Sequence, residues 1–520
     1  MSTPAAEEVR WGSPVARGVL VTTILGSGMA MLDGTIINVA LPRIGAELGA
    51  DIAGLQWILD GYLLALAALI LVAGSFGDRY GRRKVFTIGV LWFGAASALC
   101  GLAQSTEMLV AARVLQGIGG ALLTPGSLAI IQASFARKDR ARAIGAWSGL
   151  SGIAAAVGPL VGGLLVQLWS WRLAFLINVP LAVLCVWMAR KYVPESCDAQ
   201  MNGKPDVVGA VVSAVGLAGV TAALIEAPVR GVGDPLVIGA AVIGLAALAG
   251  FVVTQVKVRD PLVPPDLFAN RTFVASNLLT LVVYAALGGV MMLMVLQLQT
   301  SLGYSPTESG VAGLPITVIM LVLSARSGKL AQRIGPRVQL VLGPMLIAAG
   351  MLLLLRVEPG ASYIGAVLPG VVVFGLGLST VVAPVTATVL AASADRHAGA
   401  ASGVNNAIAR TGSLLAVAVL PAVAGLTGAS YADPTALTEG WRTALWVCAG
   451  LCVLGGVAAL AVDNGVLRAE PDTTPDLELG PTVEELARDE SPHPGECMHC
   501  GVEGPPTHVV PVRKSDRLAG

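Results

Sequence analysis

The chain has 520 residues, of which 55% are hydrophobic and only 13% charged, and its mean hydropathy is +0.76. Those values exclude an ordinary water-soluble domain and point to an all-α polytopic membrane protein. Formal net charge is zero, so no basic surplus draws the chain to nucleic acid, and where each charge sits matters more than the sum. The 63 glycines against 9 Trp, 7 Tyr and 9 Phe predict helices that pack closely through small residues. Cys100, Cys185, Cys448 and Cys452 lie in apolar runs as small packing residues, and no disulfide framework is implied.

In chain order, the first 16 residues are polar, carry Glu7 and Glu8, and hold no apolar core ending in a small-residue cleavage site. Residues 1–17 therefore read as a cytoplasmic N-terminus and Val19 onward as an uncleaved first span. Runs long enough to cross ~30 Å of hydrocarbon occur at 18–40, 55–75, 84–103, 108–131, 142–166, 171–190, 207–226, 235–257, 272–297, 310–328, 336–355, 362–391, 400–428 and 441–462. An even number of spans puts both ends of the chain on one side. Arg79, Arg82, Arg83, Lys84, Arg137, Lys138, Arg140, Arg142, Arg190, Lys191, Lys204, Lys257, Arg259, Lys329, Arg333 and Arg337 all fall on that side, whereas the opposite loops hold little beyond Arg43 and Arg230. The positive-inside rule then makes both termini cytoplasmic in a multi-pass cell membrane protein.

A charged hinge between the second and third spans reads Gly74-Ser-Phe-Gly-Asp-Arg-Tyr-Gly-Arg-Arg-Lys84, and it recurs as Gly328-Lys-Leu-Ala-Gln-Arg-Ile-Gly-Pro-Arg337, 254 residues later. Glycine returns at the first and eighth positions, a small residue at the fourth, and arginine at the sixth and tenth. The chain is thus two halves built on one plan, as in many transporters. Six spans with short loops would separate the copies by only about 180–200 residues, so two extra spans are expected between the halves. The expected division is an N-terminal bundle at 18–190, a linker with two additional spans at 191–271, a C-terminal bundle at 272–462 and a tail at 463–520. The tail from Glu470, rich in Pro, Asp and Glu, reads as disordered. Its Cys497-Met-His-Cys500 with His493 and His508 is one C-x-x-C where a structural zinc site needs two ligand pairs, so no metal is expected.

The first hinge copy closely resembles the loop between helices two and three of the major facilitator superfamily, and the second is similar to its degenerate echo. The resemblance implies two pseudo-symmetric six-helix bundles and, with two extra spans, the 14-helix (6+2+6) branch of proton-driven multidrug exporters. It also implies that Gly74, Gly77, Asp78, Arg79, Gly81, Arg82 and Arg83 form a cytoplasmic gate that latches the halves together when the protein opens outward. By chemistry alone, the basic residues of the hinge are explained by topology, but Asp78 among three glycines is not.

Asp33 sits in the first span, where a carboxylate is costly unless functional or paired. At 1.5 Å per residue, Asp33, Asp60 of the second span and Arg113 of the fourth are expected at one level, forming a proton-coupling group. Arg113-Val-Leu-Gln-Gly-Ile-Gly-Gly120 places Arg113, Gln116, Gly117 and Gly120 on one helix face, and it resembles the family's arginine motif. An arginine snorkelling to the interface and a wetted Asp60 are the bland alternatives. Gly145, Gly149, Gly152, Gly158-Pro159 and Gly162-Gly163 form a small-residue stripe in the fifth span, and the run Gly152, Gly158, Pro159, Gly162, Gly163 resembles the motif that marks exporters. Trp171-Arg172-x-x-Phe175-x-x-Asn178-x-Pro180 also matches the 14-helix exporters. Asn38, Gln116, Asn405, Asn406 and Arg410 are the candidate cavity residues. Arg410 departs from better-known multidrug members, which place acids in this region, so either an anionic or neutral substrate or a structural partnership with Asp33 is expected.

No Gly-x-x-x-x-Gly-Lys-Ser/Thr loop occurs, so the energy source is expected to be the proton gradient, without a cofactor. The reading is a non-enzymatic, monomeric antiporter exporting small amphipathic molecules such as drugs or antibiotics by alternating access in the lipid bilayer. A proton-independent lipid or metabolite exporter, or a membrane sensor signalling through its tail, is the alternative.

Overall fold

The computed structural model describes residues 9–197, 206–258, 261–393, 398–428 and 430–467. The tail cysteines and histidines fall outside the described residues. Among these residues, fourteen helices are long and apolar enough to cross a membrane. They are α1 (Pro14–Leu48), α2 (Ile52–Tyr80), α3 (Arg82–Gly101), α4 (Thr106–Ser134), α5 (Arg142–Leu168), α6 (Arg172–Tyr192) and α7 (Val207–Arg230). There follow α8 (Pro235–Lys257), α9 (Arg271–Thr300), α10 (Pro306–Ile334), α11 (Arg337–Arg356), α12 (Tyr363–Ala391), α13 (Gly399–Val423) and α14 (Pro434–Ala461).

Several helices outrun their apolar stretch because caps, not hydropathy, decide where the backbone stops. In α1 the Ser13 side chain accepts from Ala16 N and Pro14 opens the first turn, while Gly49 closes the last one in the left-handed conformation (φ 64°). The helix is therefore 35 residues long, well beyond the apolar run at 18–40. Two spans contain a break. Helical hydrogen bonding resets at Ile177 just before Asn178-Val-Pro180, and at Gly313 just before Leu314-Pro315, where proline offers no backbone N–H.

The two halves repeat in their hydrogen bonds as well as in their sequence. Gly81 (φ 106°) and Gly335 (φ 88°) make the same positive-φ turn at the two hinges. Two residues on, Arg83 donates through its backbone N–H to Glu195 Oε1 (3.1 Å) and through Nη1 to Val193 O (3.1 Å). Arg337 does the same to Asn464 Oδ1 (3.1 Å) and, through Nε, to Val462 O (2.7 Å). Each hinge is thus tied to the end of the last helix of its own half. A second echo joins Trp171-Arg172 with Trp441-Arg442. Both indoles are fully buried, and the arginines pair with Glu47 and, at 2.8 Å, Glu358. Both ends of the described chain lie on the hinge face, since α1 starts there and the residues after α14 bond to Arg337.

On the face away from the hinges the halves are closed upon each other. Gln56 donates to the carbonyls of Val417 (2.7 Å) and Ala418 (2.9 Å), Gln299 to Val39 O (3.0 Å), Ile52 N to Gly428 O (3.0 Å) and Tyr431 to Ala50 O (2.7 Å). Burial, and secondarily the nearby Asp51, push the Tyr431 phenol above its ordinary pKa, so it remains a donor. One apolar core runs across this face, including Ile37, Leu41, Ile58 and Phe175 of the first half with Leu293, Phe374 and Leu445 of the second. Toward the hinges the core divides in two, one cluster around Phe86, Phe93 and Ile131, another around Phe273, Val389 and Val404, with Leu71 of α2 still packed against the second and Ala407 of α13 against the first. No hydrogen bond links the halves at the hinge face among the described residues.

The pair α7 and α8 packs backbone to backbone, because a Cβ on Gly219 would fall 2.7 Å from Gly244 Cα. Helix α7 lies against both halves at the closed face, where Ile225 is buried between Ala53 and Ala418 and Trp57 donates to Glu226 (3.0 Å). Helix α8 is largely uncovered: Leu245, Val252 and Val256 are more than half exposed, as befits a lipid-facing helix.

Two outcomes follow from these contacts. Gly335→Ala forces a side chain into positive φ and against Asn464, and should lower stability by about 1–2 kcal/mol, seen as a lower midpoint of thermal unfolding in detergent. Gly163→Val places a branched side chain against the backbone of Pro306 and Thr307, where even a Cβ would come within 2.6 Å. It should hold the closed face apart, measured as a longer distance between spin labels at Ala46 and Ser301 than in the parent protein.

Candidate functional site

Helices α1, α3, α4 and α6 converge on one buried polar network in an otherwise apolar half. Arg113 of α4 donates through Nη1 to Asp33 Oδ2 of α1 (2.6 Å) and to Gln116 Oε1 (2.5 Å), and through Nε to the Ile58 carbonyl of α2 (3.1 Å). Gln116 in turn donates to Asp33 Oδ1 (2.8 Å) and to the Ser97 hydroxyl (2.8 Å). Asn178 donates to Asp33 Oδ1 at 3.3 Å. Asp33 is 2% exposed, Arg113 1% and Gln116 0%. Three residues apart, Arg113 and Gln116 leave one face of α4 together, which is why both reach the same carboxylate. The Arg113 guanidinium also lies 4.4 Å over the Tyr62 ring and 5.7 Å from that of Phe175, which adds cation–π attraction in a desolvated place.

Small residues make this convergence possible. A Cβ on Gly117 would come 2.5 Å from the Tyr62 carbonyl, and Gly120 faces the Tyr62 hydroxyl. Without these glycines α2 and α4 would stand too far apart for Arg113 to reach Ile58 O. A snorkelling Arg113 is overturned by this burial.

Asp60 does not join the group. It is fully buried, as against a wetted carboxyl, but both its oxygens lack a hydrogen-bond partner, and Arg113 bonds Ile58 O in its stead. The expected three-way level therefore becomes a pair plus one isolated acid. Asn38 is half-buried and donates to its own helix at Gly34 O (3.1 Å). Asn405 is occupied in joining α13 to α9, donating to Asn277 Oδ1 (3.1 Å) and Thr280 Oγ1 (2.9 Å), which removes it as a free cavity group. Asn406 is exposed and Arg410 half-buried. The partnership of Arg410 with Asp33 does not occur: Asp33 is taken by Arg113, and Arg410 pairs with no acid among the described residues.

At the hinge, Asp78 bonds Arg82 within its own turn (2.7 Å) and reaches no residue of the other half. Arg82 N donates to Ser196 O (2.9 Å), Arg83 sits 3.6 Å from Glu195, and Arg79 lies against the Tyr80 ring. Gly74 and Gly77 have open space where a Cβ would be, apart from Pro125 at 3.9 Å from the former. Among the described residues the hinge thus makes no hydrogen bond or ion pair to the other half, and the expected latch contact is not made in this structure.

The α5 stripe divides in two. Gly158 abuts Thr35, Gly162 abuts Ile36, Gly163 abuts Pro306 and Thr307, and Gly310 of α10 rests on the Pro159 carbonyl. Gly145, Gly149 and Gly152 meet nothing within 4 Å. The seal therefore begins at Gly158 and leaves Gly152 out of it. The sequence reading missed Ser97, Tyr62 and Asn178 as members of the network. A polar Asn178 within an apolar run beside Pro180 was the available signal, whereas Ser97 carried none.

A family model described as Major Facilitator Superfamily matches residues 23–417. The chain is 34% identical over 467 residues to a puromycin resistance protein of Streptomyces alboniger, covering 87% of this chain and 92% of that one. It is 35% identical to a tetracenomycin C resistance and export protein of Streptomyces glaucescens (77% and 74% covered) and 32% identical to a methylenomycin A resistance protein of Bacillus subtilis (80% and 89%). Among solved structures it is similar in fold to a bacterial homologue of the human lysosomal transporter Spinster in an inward-facing, unoccupied conformation. That match has TM-score 0.63 and 18% identity over 88% of this chain and all of the other. A peptide transporter structure matches with TM-score 0.65 and 14% identity, covering 88% and 96%. Fourteen apolar helices, a repeated hinge and a family match over most of its length identify a non-enzymatic, multi-pass transport protein, and the chain belongs to the major facilitator superfamily.

Proposed function

We propose that the protein is a proton-coupled exporter of small amphipathic molecules that works by alternating access, with the hinge face toward the cytoplasm of a cell membrane and one chain as the working unit. The observation that carries the reading is the fully buried Asp33–Arg113 pair at 2.6 Å. A charge pair surrounded by apolar helices is rarely a source of net stability, and intramembrane charge marks ion and proton pathways. Protonating Asp33 turns an acceptor of three side chains into a group that must also donate. The ion pair with Arg113 dissolves, Arg113 and Gln116 are freed to find other acceptors, and α1, α4 and α6 lose the link that joins them. Asp60, enclosed and unbonded, is a second carboxyl at which a proton is carried.

The closed face and the unbonded hinge give the starting state of the proposed cycle, open toward the hinge side. In the proposed cycle substrate enters between the halves from the hinge side. Closing the hinge side then needs Gly74 and Gly77 to receive the other half, with Asp78 exchanging Arg82 for a partner across the gap. The exporter seal at Gly158, Gly162 and Gly163 must part in the same movement. Relatives whose names refer to antibiotic resistance or export support small amphipathic molecules as cargo. Domain boundaries near 191 and 271 follow from the same plan, with α7 and α8 inserted between the bundles.

The test is transport in proteoliposomes containing the full chain, with an imposed pH gradient and a cationic, a neutral and an anionic fluorescent amphiphile. At least one compound should move against its gradient only while the proton gradient lasts, and Asp33→Asn should cut that movement by about tenfold or more. Flux that survives collapse of the gradient sinks the coupling. Asp60→Leu should raise stability by about 1–3 kcal/mol, since a buried unbonded polar group is removed, while coupled transport is lost. Unchanged transport would mark Asp60 as packing alone.

A further inference from the structure

We propose that Arg410 anchors an acidic group on the transported molecule, so that the cavity takes amphipathic organic anions, a carboxylate or phenolate on an apolar body, ahead of cations. This rests on the export reading and names its substrate class. Arg410 lies near the middle of α13 (Gly399–Val423), at a depth where an unpaired charge is costly. Its Nε is enclosed by protein with no acceptor, and the side chain as a whole is only half-buried. Ala407, three residues before Arg410 on the same side of α13, packs against the apolar cluster of the first half, so this face of α13 is turned toward the other half.

Among the described residues no acid forms an ion pair with Arg410. From α9 through α14 the described acids are Glu308, Glu358, Asp433, Glu439 and Asp463, all of them exposed and in loops or the first two turns of a helix. In the first half Asp33 is bonded to Arg113, Gln116 and Asn178, and Asp60, fully buried with neither oxygen hydrogen-bonded, is not paired with Arg410. An arginine fork is built to hold a carboxylate through two parallel N–H donors. Exposed Asn406, one turn before Arg410 on the same face, adds an amide donor. A cation at the same place would meet a like charge with no acid to offset it.

The experiment compares 1-naphthylacetate, neutral 1-naphthylacetamide and the (1-naphthylmethyl)trimethylammonium cation. Equilibrium binding of each radiolabelled compound to the detergent-purified full chain is measured by scintillation proximity. The carboxylate should bind at least about tenfold more tightly than the amide, the size of one charge-assisted hydrogen-bond pair, and the cation most weakly. Arg410→Gln should erase that preference and Arg410→Lys should keep part of it, with both variants checked for an unchanged unfolding midpoint. Equal binding of carboxylate and amide to the parent protein overturns the proposal even if the variants do not fold, and so does strongest binding of the cation or a preference that persists in Arg410→Gln. Proton-driven movement of the cation or amide alone would overturn the anion class and leave the export reading intact. Arg410-dependent carboxylate binding without any proton-driven movement would support this site and sink the coupling.

Discussion

The structure of the first half depends on one buried ion pair. Asp33 and Arg113 meet at 2.6 Å with almost no solvent access, and removing either would strand a charge among apolar helices, a defect of about 3–5 kcal/mol. Gln116, Asn178 and the Ile58 carbonyl all serve that pair. Gln116 bridges it to Ser97, Asn178 brings the middle of α6 onto it, and Ile58 O anchors Arg113 to α2. Five helices are therefore held in register by this one network.

Glycine determines the rest of the geometry. Close approach at Gly117 lets α4 reach α2, and close approach at Gly163 and Gly310 lets α5 and α10 seal the face away from the hinges. Helices in a bilayer gain no hydrophobic drive by associating, so such interfaces rely on van der Waals contact between backbones. Contacts of that kind are extensive when made and weak when slightly parted. At the other face Gly77, Gly145 and Gly149 have nothing within 4 Å of a Cβ position, and Gly74 meets only Pro125 at 3.9 Å.

The repeat explains the scaffold and its breach explains the site. Hinge turns, their arginine ties and the buried Trp-Arg pairs recur in both halves. The charged network does not, for the second half fills its interior with Val290, Ile347, Val371 and Phe374. One half thus carries the ionisable core, and the other contributes a lone arginine at the interface.

Much of this was legible in the sequence because it rests on local or periodic features. Span length, the alternation of basic loops, the hinge repeat and the intramembrane Asp33 and Arg113 follow from hydropathy, charge cost and spacing, which need no tertiary information. The side-chain partners were not legible. Asp60 and Asp33 look alike in the sequence, yet only one meets Arg113, because the turn of α2 presents Ile58 O where a second carboxylate was expected. Asn405 and Arg410 also look alike as polar residues on α13, yet one is consumed by Asn277 and Thr280 and the other is left unpaired. Helix rotation and interhelical distance set those outcomes, and both come from glycine contacts between segments far apart in the chain. By itself the sequence determined the spans, the repeat and which charges would be expensive. Only the tertiary structure decided which of those charges are satisfied, because a partner across a helix interface is a matter of ångströms that no local pattern records.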